Sequence, residues 1–204
     1  MKKKLLIATK NQGKLIEISK FLKDLDLEII SLGDIGISED FGENGKTYQE
    51  NSQNKALFYA SLSNLPSIAD DGGIEIDALG GEPGIKSRRW VGKNSTDEKI
   101  IDHMKKITGE LGENRKAFFK TVVSLALPNG KVFSTTGEIE GIIAKKPLLK
   151  LLKGYPYRSF FYLPEIKKYY HEDELFGDEE KLYNHRYKAI TKLKPIIIKE
   201  LVLT

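Results

Sequence analysis

Two adjacent carboxylates, Asp70 and Asp71, follow a short apolar stretch that ends at Ala69. Ligands gather at strand ends in α/β sheets, so a carboxylate placed there can bind Mg²⁺ or orient a water molecule. Neighbouring residues of a strand point to opposite faces, and we therefore expect one of the two acids to be structural. The alternative is a simple turn, because Asp followed by Gly72 is a common turn pair.

A polar loop, residues 9–14, separates the first apolar run from a helical pattern. The hydroxyl of Thr9, the amide of Asn11 and the ammonium of Lys14 could converge on an anion, together with the backbone amides at the helix start. The alternative is that Asn11 only caps the helix and the lysines are solvated. Spacing alone favours this alternative.

Three further residues could complete such a site. Glu43 lies in a glycine-rich loop and is a candidate second metal ligand, although loop acids are ordinarily solvated. Asn51 and Lys55 are four residues apart, so one helical face can present an amide and an ammonium together. A solvated polar face would show the same spacing. Residues 45–47, Gly-Lys-Thr, do not form a P-loop, because Asp40 stands where that motif needs its first glycine.

Residues 181–186 bring a lysine, a histidine and an arginine close together. These side chains suit a phosphate or the carbonyl edge of a base, while a basic surface loop is the alternative. The aromatic run at residues 155–162 could supply a stacking platform for a base. Such runs belong more often to a core or a strand.

The elements that position these residues follow from the hydrophobic pattern. Strands are predicted at residues 5–8, 27–31, 67–69 and 74–76, with a hairpin formed by 118–127 and 132–136 around an Asn-Gly turn. Helices are predicted after Asn11, from a Thr47 cap to about residue 63, at 97–106, and over 188–203 on one or both sides of Pro195. This mixed order indicates an α/β protein with a mixed sheet.

The composition narrows the chemistry. The chain has 204 residues, of which 40% are hydrophobic and none is cysteine. Disulfides, a thiolate nucleophile and cysteine metal sites are therefore excluded, and oxygen is the expected metal donor. The net charge of +4 suits small anionic ligands but does not indicate a nucleic-acid partner. The apolar run after the N-terminal lysines is too short for a signal peptide, and no stretch could span a membrane, so we expect a cytoplasmic protein.

Taken in order, these motifs resemble the inosine triphosphate pyrophosphatase (Ham1-like) family over most of the chain. The family's Thr/Ser-x-Asn-x-x-Lys loop is similar to residues 9–14, and its Glu-Thr-Gly-x-Thr-Phe-x-Glu-Asn-Ala-x-x-Lys-Ala pattern is similar to residues 43–56. Its signature Ala-Asp-Asp-Ser-Gly-Leu-x-Val-Asp-Ala-Leu-x-Gly-x-Pro-Gly resembles residues 69–84. Its Ser-Ala-Arg-Tyr and Ser-His-Arg motifs resemble residues 87–90 and 184–186.

The resemblance implies a Mg²⁺-dependent hydrolase that cleaves non-standard purine nucleoside triphosphates (ITP, dITP or XTP) to the monophosphate and pyrophosphate. Glu43 and Asp71 would hold the metal, and Asp71 would also activate water. The implied substrate-binding residues are Thr9, Asn11, Lys14, Lys55, Gly72, Tyr155, Lys181, His185 and Arg186. It further implies an α/β fold in a single domain, residues 1–204, with an elongated mixed sheet flanked by helices, two lobes around a central cleft, an architecture like that of anticodon-binding domains, and a homodimer.

The chain departs from the family at the base-binding segment. Where the family has Gly-Phe-Gly-Tyr-Asp-Pro, residues 154–159 read Gly-Tyr-Pro-Tyr-Arg-Ser. Pro156 thus replaces a flexible glycine, and Arg158 replaces an acid with a cation. Two alternatives follow: the same hydrolysis of a different nucleotide, or a nucleotide-binding protein with little turnover.

Overall fold

The structure is a computed structural model that describes residues 2–93, 95–150 and 152–203. The described residues form seven strands: β1 (Lys3–Ile7), β2 (Leu27–Ser31), β3 (Ser67–Ile76), β4 (Lys116–Ala126), β5 (Val132–Ile143), β6 (Phe161–Leu163) and β7 (Lys168–Tyr169). The α-helices are α1 (Gln12–Leu22), α2 (Tyr48–Ser63), α3 (Asp97–Glu110), α4 (Gly177–Leu182) and α5 (His185–Ile197), and α5 continues into a π-helical turn over Ile198–Val202.

The seven strands form one open mixed sheet in the order β2-β1-β3-β4-β5-β6-β7. The strand β1 is parallel to both β2 and β3, whereas β6 is antiparallel to β5 and β7. The hairpin turn between β4 and β5 is closed by a hydrogen bond of 2.8 Å from the Leu127 N–H to the Lys131 carbonyl. The predicted α/β class with a mixed sheet is confirmed.

The chain clusters into two compact units. Unit 1 takes its described residues from Met1–Asp71, Thr121–Gly137 and Arg186–Thr204. Its strand β1 is buried on both faces, since Leu5 and Ile7 pack in one apolar cluster with residues of α1 and α5, whereas Leu6 and Ala8 pack in another with residues of α2. The helices α1 and α2 therefore pack against opposite faces of β1.

Unit 2 comprises the described residues of Gly72–Lys120 and Glu138–His185. One apolar cluster fills it, with contributions from α3, β4, β5 and β6. Phe160 and Phe161 are buried in this cluster, so this part of the aromatic run belongs to the core. Among the described residues, no helix is long and apolar enough to cross a membrane.

One predicted boundary is wrong. Residues 67–76 form a single strand, β3, rather than two strands separated by an Asp-Gly turn. Gly73 serves close packing here, because a Cβ at this position would collide with the Ser87 hydroxyl and the Gly84 carbonyl. Asp70 and Asp71 thus lie inside a strand and not at its end, and their side chains point to opposite faces of the sheet.

Candidate active site

The start of α1 places the first three predicted residues together. The Asn11 side chain caps the helix by accepting a hydrogen bond of 3.2 Å from the Lys14 N–H. The Thr9 hydroxyl oxygen accepts a hydrogen bond of 3.2 Å from the Asn11 N–H and fixes the loop. The cap predicted as the alternative is thus present. The same cap leaves the ammonium of Lys14 in the first helical turn, where the helix dipole favours an anion.

Asp70 is the buried centre of an ionic cluster. Its side chain is 0% exposed, and Oδ2 lies 3.0 Å from Lys14 Nζ and 3.0 Å from Arg186 Nε. Arg186 also donates through Nη1 to Glu17, whose side chain lies on α1. Burial alone would raise the pKa of Asp70, but Lys14, Arg186 and Lys55 outweigh it and hold this pKa well below its usual range. The cluster connects β3 to α1 and α5.

Asp71 has the opposite environment. Burial, with the nearby Glu43 carboxylate second, raises the pKa of Asp71 to about 6, against the opposing effects of Lys14, Asn51 and Lys55. Asn51 Nδ2 donates a hydrogen bond of 2.8 Å to Asp71 Oδ2. A carboxylate with a pKa near neutrality can accept a proton from water at physiological pH.

The loop before α2 completes this side of the site. Glu43 Oε1 lies 2.5 Å from Lys55 Nζ. Burial lowers the pKa of Lys55, yet Glu43, Asp70 and Asp71 outweigh burial and raise it, so this lysine stays charged. Gly45 donates from its N–H to Asn51 Oδ1 at 2.7 Å, and the same oxygen would lie 2.6 Å from a Cβ at Gly45. Asn51 therefore links the loop to β3.

The predicted residues of unit 2 lie in an aromatic environment. The guanidinium of Arg158 lies over the ring of Tyr155, 3.8 Å from its centroid, and over the ring of Tyr170 at 4.4 Å. The Tyr170 hydroxyl is 3.0 Å from Nδ1 of His185. The His185 ring stacks on Phe119 with a centroid distance of 5.2 Å. One face of Tyr155 is therefore covered by the cation that distinguishes this chain from the family pattern.

Gly72 and Lys181 complete the predicted set in unit 2. Gly72 lies within β3, directly after Asp71. Lys181 lies on α4, where Nζ is 2.8 Å from Asp178 Oδ1 and half of its side chain is exposed. Arg186 follows His185 in sequence but belongs to the ionic cluster of unit 1.

The sequence model of the Ham1 family matches residues 5–196. The chain belongs to the Ham1 family. The dITP/XTP pyrophosphatase of Desulfotalea psychrophila is 36% identical to it over 199 residues, which cover 96% of this chain and 86% of that protein. The dITP/XTP pyrophosphatase of Thermus thermophilus is 37% identical over 191 residues, with coverages of 93% and 89%.

Solved structures of Ham1 proteins agree with this membership. The Staphylococcus aureus Ham1 protein is 32% identical to this chain, with a TM-score of 0.79. The match covers 97% of this chain and 100% of that chain. The Coxiella burnetii HAM1 protein is 30% identical, has a TM-score of 0.81, and the match covers 97% and 99%. The predicted family is confirmed. Neither alternative raised by Pro156 and Arg158, a different nucleotide or little turnover, finds support in these comparisons.

The donor set of this Ham1 chain fits a hard divalent cation. Burial, and after it the charge of Glu43, raises the pKa of Asp71, and a divalent cation held by these carboxylates would offset their repulsion. Within residues 2–93, 95–150 and 152–203, no group of three or more His, Cys, Asp or Glu side chains could hold a metal. Mg²⁺ ordinarily needs only one or two carboxylates besides phosphate oxygens and water.

Two residues of this Ham1 site were left out of the predicted set. Asn51 was considered with Lys55 but was not among the implied site residues, and its side chain donates a hydrogen bond to Asp71. Glu17 carries no motif signal, because its partner Arg186 is far away in sequence and close only in the fold.

Proposed function

We propose that this protein hydrolyses non-standard purine nucleoside triphosphates, such as dITP and XTP, to the monophosphate and pyrophosphate with Mg²⁺. The observation that carries this proposal is the arrangement in unit 1. Asp71 is a carboxyl group whose pKa is raised to about 6, near a second carboxylate, Glu43. The ammonium groups of Lys14 and Lys55 are close enough to lower the pKa of Asp71 in part. The names of the curated relatives support the same substrates.

Each group has a role in hydrolysis. Lys14, Lys55 and the amides at the start of α1 would bind phosphate oxygens, which need several donors from separate segments. Asp71 would accept a proton from the attacking water, and Asn51 would hold its carboxylate in place. Asp71 and Glu43 would hold Mg²⁺, whose charge would neutralise that of the phosphate oxygens.

The remaining parts of the prediction are also proposed here. Substrate binding by Gly72, Tyr155, Lys181 and His185 rests on the family resemblance, and for Tyr155 and His185 also on their aromatic and cationic neighbours. A cytoplasmic homodimer rests on the resemblance and the composition, and light scattering would measure its mass. The small net charge of +4 supports the absence of a nucleic-acid partner.

The decisive experiment measures pyrophosphate release from a panel of nucleotides with Mg²⁺: ITP, dITP, XTP, ATP, GTP, UTP and TTP. We expect dITP, ITP and XTP to be hydrolysed fastest. A preference for a canonical nucleotide would contradict the proposed substrates. Pyrophosphate release that persists after Mg²⁺ is chelated would contradict the proposed metal.

A further inference from the structure

Two cations share one oxygen of Asp70. Lys14 Nζ and Arg186 Nε each lie 3.0 Å from Asp70 Oδ2. The side chains of Asp70 and Arg186 are 0% and 4% exposed, whereas that of Lys14 is 19% exposed. Lys14 is thus the member of this trio with access to a ligand.

Two anions can compete for the ammonium of Lys14: the carboxylate of Asp70 and a bound phosphate. Lys14 lies in the first turn of α1, three residues after the Asn11 cap, where an anion is favoured. An ammonium that turns toward a phosphate weakens its contact with Asp70. A fully buried carboxylate cannot lose its counter-charge without a large penalty, so the outcome depends on which other cation remains beside it.

Arg186 is the other cation in direct contact with Asp70. Its Nε stays on Asp70 Oδ2, and its Nη1 contact with Glu17 holds the guanidinium between α1 and β3. Arginine suits this position because its planar fork can bind two carboxylates at once.

We propose that Arg186 is a positioning residue that neutralises Asp70 and so frees Lys14 to bind the phosphates of the substrate. The proposal rests on the proposed function, which assigns Lys14 to phosphate. It differs from the direct substrate binding that the family resemblance implies for Arg186, because Arg186 here acts through Asp70 and Lys14. A cluster that serves only to stabilise the fold would have the same contacts. In that case, replacing Arg186 would not change the affinity for phosphate.

The test measures binding of inorganic triphosphate with Mg²⁺ by titration calorimetry, so that no base is involved. In Arg186→Met, Lys14 is left as the cation that directly contacts Asp70 Oδ2 among the described residues, and we expect binding about tenfold weaker or worse. In Asp70→Asn the competing charge is gone, and binding should stay equal to wild type or become tighter. The double variant should bind as Asp70→Asn does. Lys23→Met, which removes an exposed charge of α1's end, is the control for net charge.

The outcomes separate the explanations. An equal loss from Arg186→Met with and without Asp70→Asn would overturn the proposal, because Arg186 would then act on the ligand directly. Unchanged triphosphate binding in a folded Arg186→Met would also overturn it and leave a structural cluster. If that variant does not fold, Arg186→Lys replaces it. We then expect a smaller loss of triphosphate affinity, which Asp70→Asn should likewise abolish. Failure of nucleotide hydrolysis in the substrate panel, with the triphosphate pattern intact, would count against the proposed function alone.

Discussion

The pKa values of two neighbouring aspartates, on opposite sides of β3, are shifted in opposite directions. On one side, the buried Asp70 contacts two cations, and its pKa lies well below the usual range. On the other side, Asp71 contacts the amide of Asn51 and is repelled by Glu43, and its pKa rises to about 6. Burial is similar for both carboxylates, so the neighbours decide which one has a lowered pKa and which one has a raised pKa.

The largest expected effect concerns turnover. Asp71→Asn removes the proposed base and one metal ligand while it keeps the side-chain shape, so we expect kcat to fall by about 10³-fold or more. Pyrophosphate release from dITP is the measurement. The exposed Asp77→Asn, a few residues further along the chain, is the matched control and should retain wild-type kcat. Equal activity in the two variants would remove Asp71 from the mechanism.

Stability should change in opposite directions at the two positions. Asp70→Asn removes the buried counter-charge that Lys14 and Arg186 share, and we expect the free energy of unfolding to fall by about 3 kcal/mol. Asp71→Asn should instead stabilise the metal-free protein at pH 8 by up to about 3 kcal/mol, because the ionised carboxylate is disfavoured by burial and by Glu43. Urea unfolding of both variants measures the contrast.

The stability gained in Asp71→Asn should depend on pH. The folded pKa of Asp71, about 6, lies above the ordinary value of 3.8, so the folded protein holds a proton that the unfolded chain releases. The stability that the protonated Asp71 contributes is fully present below the unfolded pKa of 3.8, and it is lost as the pH rises through the folded pKa of about 6. The gain from Asp71→Asn should therefore disappear at about pH 4. A gain independent of pH would contradict the assigned repulsion.

A smaller effect isolates the repulsion itself. Glu43→Gln removes the like charge beside Asp71, so the pKa of Asp71 in the metal-free protein should move down from about 6 toward its ordinary value. Carboxyl NMR of the variant and of wild type would detect this shift. Glu39→Gln, in the same loop, is the control and should leave the Asp71 signal unchanged. No shift in Glu43→Gln would mean that burial alone raises the pKa.

The sequence allowed much of this arrangement to be predicted, for reasons that differ among residues. Asp71 was singled out because it follows a predicted strand, Glu43 because it lies in a glycine-rich loop, and Lys14 and Lys55 because of their place in a helix-start loop and on a helix face. The environments of Asp70 and Asp71 could not be predicted, because they depend on pairing with residues far away in sequence, such as Arg186. The break expected at residues 70–73 was wrong, since Gly73 is required by packing against Ser87 and not by a turn.

The smallest expected effect tests the link between the loop and the Asp71 side of β3. Gly45→Ala would place a Cβ 2.6 Å from Asn51 Oδ1, the oxygen that accepts the present hydrogen bond from the Gly45 N–H. Asn51 must then shift, and its contact with Asp71 Oδ2 weakens, so we expect kcat to fall by about tenfold, with little effect on the Asp70 side. Gly42→Ala is the control in the same loop, because its nearest neighbour is the end of the flexible Asn44 side chain at 3.2 Å. If both glycine variants retained full kcat, Asn51 would not be needed to hold Asp71 in place, and the reactivity of this side of β3 would depend on Glu43 and burial alone.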